Sequence, residues 1–229
     1  TKTLKLFIKT KMTKFLPVVE KFHSLQGEGF HSGKSAFFIR LAGCKVGCSW
    51  CDTKHSWDHT KYPLFSIEKL LEEITEAKRK GAAFIVITGG EPLQHNLDDF
   101  CKIIKEQNQT NKGNPIKIHI ETSGVNKISG YYDWITLSPK RHKPPKNYFL
   151  SQSDEVKIVI NDKKDIEFAK DVRNKILDID ANQQDITSKK FFIQPAWDSK
   201  RGLKLAVEFA KMNPQWSLSL QTHKYLSIQ

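Results

Sequence analysis

The sequence predicts an α/β protein, a single domain built as an incomplete (partial) βα barrel with mostly parallel strands. Apolar, strand-prone runs alternate with amphipathic helical segments along the chain, the pattern of successive βαβ units. Most of these runs end directly in a polar or glycine-rich motif, and in a βα barrel the carboxyl ends of the strands carry the active site. The series amounts to roughly six or seven units, too few for the eight that close a full barrel.

Taken in order, residues 1–14 alternate lysine with short apolar pieces and lack the apolar centre of a signal peptide. The chain starts without methionine and Met12 lies close to the first strand. Residues 1–14 are therefore expected to be a basic N-terminal extension, disordered or added for expression, ahead of one domain over 15–229. A short β-prone run over 17–22 leads to Ser24, Leu25, Gln26, Gly27, Glu28 and Gly29, where two glycines permit a turn that offers Gln26 and Glu28 to a ligand. This loop is expected to line the open side of the barrel. Residues 36–42 form a near-continuous apolar strand interrupted by Arg40, and a buried arginine needs an anion. That anion is either a structural partner such as Glu28 or a carboxylate of a substrate.

Ser66 is suited to cap a helix with Ile67, Leu70, Leu71, Ile74 and Ala77 on one face, closed by Gly81. The strand over 83–88 runs into Gly89, Gly90, Glu91 and Pro92. A helix over 97–107 leads to a strand over 116–120 ending in Glu121, Thr122, Ser123 and Gly124. A strand over 134–137 ends in Ser138, Pro139 and Lys140. The strand over 155–160 precedes a helix over 164–176, and the strand over 191–193 ends in Gln194, Pro195, Ala196 and Trp197. A helix over 203–212 leads to a strand over 216–220 that ends in Gln221, Thr222, His223 and Lys224. Between Trp57 and Ile67 no full helical turn is predicted.

Composition narrows the function. The chain has 229 residues, a formal net charge of +12 and four cysteines. Four cysteines in a lysine-rich chain without a framework of even spacings read as reduced thiols and metal ligands of a cytoplasmic protein. No apolar run approaches the ~20 residues of a membrane helix, so no membrane partner is expected. Basic charge attracts phosphate in general, but the lysines are scattered. The densest group, Lys140, Arg141, His142, Lys143 and Lys146, lacks the aromatic interleaving of a single-strand platform. No direct nucleic-acid role is expected.

The chemistry centres on Cys44, Cys48 and Cys51, three thiols within eight residues at offsets of four and three. A structural zinc site closes with four ligands, and Cys101, the remaining cysteine, falls in a helical pattern far along the chain. Three thiolates suit three irons of a [4Fe-4S] cube, leaving the fourth iron open. An inert cysteine-rich loop and an incomplete zinc knuckle are the alternatives. Gly89 and Gly90 after a strand leave room for close backbone contact with a ligand. With the thiol loop, they point to S-adenosylmethionine held on the open iron, where one electron breaks a carbon–sulfur bond.

The Cys-x-x-x-Cys-x-x-Cys loop followed by Gly-Gly-Glu-Pro resembles the radical S-adenosylmethionine superfamily. Within it, residues 25–29, 51–57, 121–124, 138–140 and 221–226 resemble the 7-carboxy-7-deazaguanine synthase family. That resemblance implies a carbon–nitrogen lyase converting 6-carboxy-5,6,7,8-tetrahydropterin to 7-carboxy-7-deazaguanine with loss of ammonia, on the route to queuosine. It implies a homodimer with a [4Fe-4S] cluster, S-adenosylmethionine and magnesium as cofactors. Carried over by position, Cys44, Cys48 and Cys51 would hold the cluster and Thr53 the magnesium. Trp50, Asp52, Gly90, Ser123, Ser138, Pro139, Lys140, Gln194, Pro195, Ala196 and Trp197 would surround S-adenosylmethionine. Leu25, Gln26, Gly27, Glu28, Arg40, Thr88 and His223 would form the pterin pocket. No acid or base is assigned, and His95, His119 and His142 are equally well read as structural.

The segment after the thiol loop varies among radical enzymes and is expected to receive the electron donor. The high positive charge suits an acidic, flavodoxin-type reductant. A glycyl-radical activase shares the cysteine spacing but has no use for the loop at Gln26 and Glu28 or for Arg40. An iron–sulfur electron carrier would want a fourth nearby cysteine.

Overall fold

The computed structural model describes residues 14–110, 115–180 and 189–229; apart from Lys14, the basic extension expected over 1–14 lies outside them. The chain runs β1 (Phe15–Leu25), β2 (Ser35–Leu41), β3 (Leu64–Ser66), α1 (Ile67–Arg79), β4 (Phe84–Gly89), α2 (Asp98–Thr110), β5 (Lys117–Thr122) and β6 (Trp134–Leu137). It continues through α3 (Asn147–Gln152), β7 (Glu155–Ile160), α4 (Lys163–Asp180), β8 (Lys190–Pro195), α5 (Lys200–Met212), β9 (Ser217–Leu218) and α6 (Thr222–Leu226). The strands form one sheet of nine in the order β3-β1-β2-β4-β5-β6-β7-β8-β9. Every pairing from β2 to β9 is parallel, whereas β1 pairs antiparallel with both β2 and β3. The sheet does not close on itself among the described residues, so the expected partial barrel is the observed architecture. No helix among the described residues is long and apolar enough to cross a membrane.

Alternation of side chains along each strand sorts the two faces. Phe37, Ile39, Leu41, Ile85, Ile87, Ile118, Ile120, Val156 and Ile158 belong to the main core with α1, α2, α4 and α5, whose apolar stripes supply Leu70, Ile74, Phe100, Ile104, Val172 and Phe209. Their neighbours Ala36, Phe38, Phe84 and Val86 form a separate small cluster on the opposite face, closed by Phe22. Helix starts are capped as the sequence predicts at Ser66, whose hydroxyl accepts from the Lys69 N–H at 3.2 Å.

Four features depart from the sequence reading. β1 is a long antiparallel arm, not the first unit of the βα series. A short 3-10 turn, His59–Lys61, occupies the stretch between Trp57 and Ile67 where no full helical turn is expected, and another, Lys54–Trp57, precedes it; Asp58 caps the His59–Lys61 turn by accepting from the Thr60 N–H at 3.0 Å. The short helices α3 and α6 replace expected loops. β9 is only two residues long, Ser217 and Leu218, in register with Phe192 and Ile193 of β8.

The loop at Gln26 to Gly29 is also placed differently. β1 runs antiparallel to β2, so Leu25 faces Ser35, and the connecting loop lies at the amino ends of the parallel strands. There Phe30 stacks on Trp134 with ring centroids 5.3 Å apart, and His31 lies 4.7 Å from the His119 ring and 5.3 Å from Phe84. The loop therefore stoppers the bottom of the barrel. It also reaches the open side, since the Thr222 N–H donates to the Gly27 carbonyl at 2.9 Å. Burial above all, then neighbouring positive charge, lowers His31 to about 4 and His119 to about 3, so both pack as neutral rings.

Candidate active site

Above this stopper the inner face turns polar and encloses a cavity of about 430 Å³. One wall is the thiol loop that follows β2. Backbone bonds fix its path: Gly43 N–H to the Ser56 carbonyl (2.7 Å), Cys44 N–H to Trp57 (3.1 Å) and Cys51 N–H to Cys48 (3.2 Å). Gly47, at φ 80°, supplies a left-handed turn that other residues rarely adopt. The segment after β6 braces the loop from outside, with Lys143 Nζ donating to the Lys45 carbonyl (2.6 Å) and His142 Nε2 on the Val46 carbonyl (3.2 Å). His95 Nε2 meets the Ala42 carbonyl at 2.6 Å. His95 and His142 thus hold backbone at the loop, and His119 belongs to the stopper.

Gly89 and Gly90 serve the same loop. The Gly90 N–H donates to the Leu41 carbonyl (3.0 Å) and the Glu91 N–H to the Gly43 carbonyl (2.8 Å). A Cβ on Gly90 would meet the Gly43 carbonyl and, at 2.8 Å, Cys44 Cβ. The space the two glycines leave is thus taken up largely by the thiol loop itself. Glu91, 1 % exposed, gathers hydrogen bonds from the Thr122 hydroxyl (2.6 Å), the Ser123 N–H (2.8 Å) and hydroxyl, and the Leu93 N–H (3.2 Å).

Cys44, Cys48 and Cys51 all line the cavity, together with Thr53, whose hydroxyl lies 3.5 Å from the Cys51 sulfur. Burial raises the thiols of Cys44 and Cys48, while the Lys140 ammonium favours the Cys48 thiolate. Among the described residues no three His, Cys, Asp or Glu side chains form a group suited to a single metal ion. Three thiols on one cavity wall fit a cube, where each thiolate meets a different iron. Binding would deprotonate them, since metal is bound by the thiolate.

Around the mouth, Lys140 Nζ donates to the Ser138 hydroxyl (2.7 Å) and sits 5.1 Å from the centre of the Trp50 ring. Lys224 Nζ pairs with Asp52 at 2.6 Å and lies 4.9 Å from the Trp197 ring. Gln194 accepts from the Ser219 hydroxyl at 2.8 Å. Trp50, Asp52, Gly90, Ser123, Ser138, Lys140 and Gln194, Pro195, Ala196 and Trp197 all line the cavity. Pro139 does not: it is buried between two cavity-facing neighbours, as alternation in an extended segment requires.

Deeper in, Leu25, Gln26, Gly27, Glu28, Arg40, Thr88 and His223 line the same cavity. Arg40 Nε pairs with Glu20 at 2.6 Å across the β1–β2 ladder, so the structural partner is Glu20 and not Glu28. Glu28 is instead paired with Lys157 and accepts from Gln221 Nε2 at 2.9 Å. Glu121 accepts from Gln26 Nε2 and from the Thr88 hydroxyl, both at 3.0 Å. Burial lowers His223 despite the pull of Glu28.

Glu91 and Glu121 stand in strand-end motifs without an assigned role, and Lys157 is absent from the residues singled out by sequence. For Glu121 and Lys157 the signal is a charge placed two residues from another polar residue inside an otherwise apolar strand, as with Glu155 and Lys157 in β7 or His119 and Glu121 in β5. That spacing turns both side chains to the inner face.

An open parallel barrel with three thiols at the carboxyl end of its strands defines the radical S-adenosylmethionine class, and residues 38–140 match the model of the Radical SAM superfamily. The 7-carboxy-7-deazaguanine synthase of Prochlorococcus marinus is 50% identical over 225 residues, covering 95% of this chain and 100% of that protein. The enzyme of the same name from Synechocystis sp. is 38% identical over 95% of this chain and 96% of its own. The crystal structure of QueE from Escherichia coli superposes with a TM-score of 0.71 at 31% identity, covering 90% of this chain and 93% of that one. The chain belongs to the 7-carboxy-7-deazaguanine synthase family.

Proposed function

We propose that this chain is a radical S-adenosylmethionine lyase that converts 6-carboxy-5,6,7,8-tetrahydropterin to 7-carboxy-7-deazaguanine with loss of ammonia, in queuosine and related 7-deazapurine biosynthesis. The observation that carries the reading is one cavity that joins a three-thiol wall to a floor bearing Arg40, Glu28 and Glu121. A pterin carboxylate calls for a guanidinium. Its amino and ring N–H edge calls for acceptors, which Glu28 and Glu121 provide.

Cys44, Cys48 and Cys51 would hold the [4Fe-4S] cluster, and S-adenosylmethionine would lie among Trp50, Asp52, Gly90, Ser123, Ser138, Lys140 and Gln194 to Trp197. When bound, the pair supplies an adenosyl radical able to take a hydrogen atom from carbon. The chain's own work is positioning and exclusion of water. Arg40, already steadied by Glu20, orients the substrate carboxylate. Gln26 and Thr88 aim the Glu121 carboxylate, and Phe22 and Phe38 present a dry wall. The stopper of Phe30, His31 and Trp134 closes the far end. Leu25, Gly27 and His223 complete the pterin pocket. Thr53 offers a hydroxyl to magnesium, a hard cation that prefers oxygen and keeps several waters. No residue is assigned as acid or base.

Residues 15–229 would act as a single domain in a cytoplasmic homodimer reduced by a flavodoxin-type donor. The net charge of +12 supports an acidic donor, and a reduction rate that falls with salt would be its signature. The reading is tested by supplying reconstituted, reduced protein with S-adenosylmethionine, magnesium and the tetrahydropterin under anaerobic conditions. Both 5'-deoxyadenosine and 7-carboxy-7-deazaguanine are expected by mass spectrometry. Deoxyadenosine without deazaguanine would sink the substrate assignment.

A further inference from the structure

Beneath the cavity, β7 carries a lysine in a place that strands rarely allow one. The Lys157 side chain is 6% exposed and its partner Glu28 is 15% exposed. Both line the cavity. Glu28 sits on the stopper loop, where its own N–H donates to Gln26 Oε1 at 3.1 Å, and Lys157 rises from the middle of a paired strand opposite Phe192. The lysine is thus on the rigid element and the glutamate on the loop it must fix.

Such a pair is a costly way to fasten a loop, because apolar side chains of similar size usually hold as well or better. What the pair does provide is a charge state. Taken out of water alone, Glu28 would keep its proton and present one donor and a weakened acceptor to the cavity. We infer that Lys157 is a positioning residue that keeps Glu28 an ionised, doubly accepting carboxylate, so that the site selects substrates presenting a paired N–H edge. The inference rests on the proposed pterin substrate.

The surrounding groups agree with this assignment. Around Glu28 stand Lys157 from β7, Glu121 from β5, Lys140 beyond β6 and His223 from α6, with the neutral Gln221 amide on Oε1, while Glu155 of β7 accepts from the Phe30 N–H two residues along the same loop. Burial pushes the Glu28 carboxyl up, and the Lys157 ammonium with its hydrogen bond overrides burial and brings it down. Burial alone would lower Lys157, and the charges of Glu28, Glu121 and Glu155 raise it above the usual lysine range. Lys157 is therefore a counter-charge shared by Glu28, Glu121 and Glu155.

The test compares Lys157→Met, Lys157→Arg and the double variant Lys157→Met/Glu28→Gln in the reconstituted enzyme across pH 6 to 9, roughly the range over which a buried carboxyl titrates. In Lys157→Met, kcat/KM for the tetrahydropterin should climb about tenfold per pH unit until Glu28 ionises, with the change in KM more than in kcat. Lys157→Arg should restore the wild-type profile, and the double variant should be weak at every pH. Isotope-edited infrared spectra of protein labelled at glutamate should show a new protonated carboxyl in Lys157→Met that disappears in the double variant. A Lys157→Met enzyme with the wild-type KM and pH profile, or one weakened equally at every pH and not rescued by arginine, overturns the inference. If Lys157→Met does not fold, a double variant with the wild-type KM overturns it and a uniformly weak one supports it. Wild-type protein that makes deoxyadenosine but no deazaguanine would refute the substrate assignment, and the infrared comparison would still decide the charge state.

Discussion

Glu91 accepts hydrogen bonds from both the backbone N–H and the hydroxyl of Ser123, welding the carboxyl end of β4 to that of β5. Thr122 and Leu93 add two further donors to the same carboxylate. A carboxylate accepts all of them, whereas an amide replaces one acceptor by a donor. Glu91→Gln should therefore leave buried donors opposed, at about 1–3 kcal/mol for each group left unsatisfied. The expected outcome is a melting temperature several degrees lower and S-adenosylmethionine bound about tenfold more weakly, since Gly90 and Ser123 lose their common anchor. Thermal melts and ligand titration of the reconstituted protein check both.

The four cysteines should separate cleanly. Replacing Cys44, Cys48 or Cys51 by alanine removes a thiol from the cavity wall, and each variant should fold yet lose the visible absorption and iron content of a reconstituted cluster. Cys101, 1% exposed and buried in α2, packs against Gly130 and Tyr132 instead. Cys101→Ala should keep full iron and lose only about 1 kcal/mol of stability to the small cavity it creates.

How much of this was legible in the sequence follows from where each residue's information lies. The βα alternation, the thiol loop and the strand-end motifs are local patterns, and the barrel could be read from them; with the family resemblance added, every expected site residue but Pro139 falls on the cavity wall. Partners set by topology could not. Arg40 has two acidic candidates in sequence, Glu20 and Glu28, and only the antiparallel β1–β2 register brings Glu20 opposite it. The same reversal of β1 sends the Gln26–Glu28 loop to the bottom of the barrel. Lys157 looks like a surface charge until the twofold alternation of β7 is set against a sheet whose outer face is sealed by helices.

Glu155 makes the stability pH-dependent in an unusual direction. Burial raises its carboxyl, only partly offset by Lys157 and by the hydrogen bond from the Phe30 N–H (3.1 Å), to about 7. A carboxyl whose pKa is raised on folding binds its proton more tightly in the folded state. Stability should then be greatest below the unfolded value of 4.5 and decline as pH rises towards 7. The shift corresponds to about 3 kcal/mol. Glu155→Gln removes this penalty while keeping an oxygen for Phe30. It should raise the melting temperature relative to wild type at pH 8 but not at pH 4, both pH values chosen to lie about one unit or less outside the titration window. Equal differences at the two pH values would refute the account.

Gly90 tests whether the close fit between β4 and the thiol loop governs activity. A Cβ there would lie 2.8 Å from Cys44 Cβ and 2.9 Å from the Gly43 carbonyl carbon, atoms of a loop that cannot rotate out of the way. The loop must move, stretching the bonds from the Gly90 N–H to Leu41 and from the Glu91 N–H to Gly43. The outer-face core of Ile85 and Ile87 is untouched, so Gly90→Ala should fold. Displacing a reacting group by about 1 Å costs on the order of a hundredfold in rate, and Gly90→Ala should lose at least that much turnover or fail to assemble a cluster. Gly33 is the control: at φ 83° with open space around its Cβ position, Gly33→Ala bears only backbone strain of about 1–2 kcal/mol. It should keep its cluster and its rate. Were the two variants to lose activity in proportion to their loss of stability, the contact between Gly90 and the thiol loop would be structural alone. A large loss of turnover in Gly90→Ala at near wild-type stability would tie that contact to catalysis.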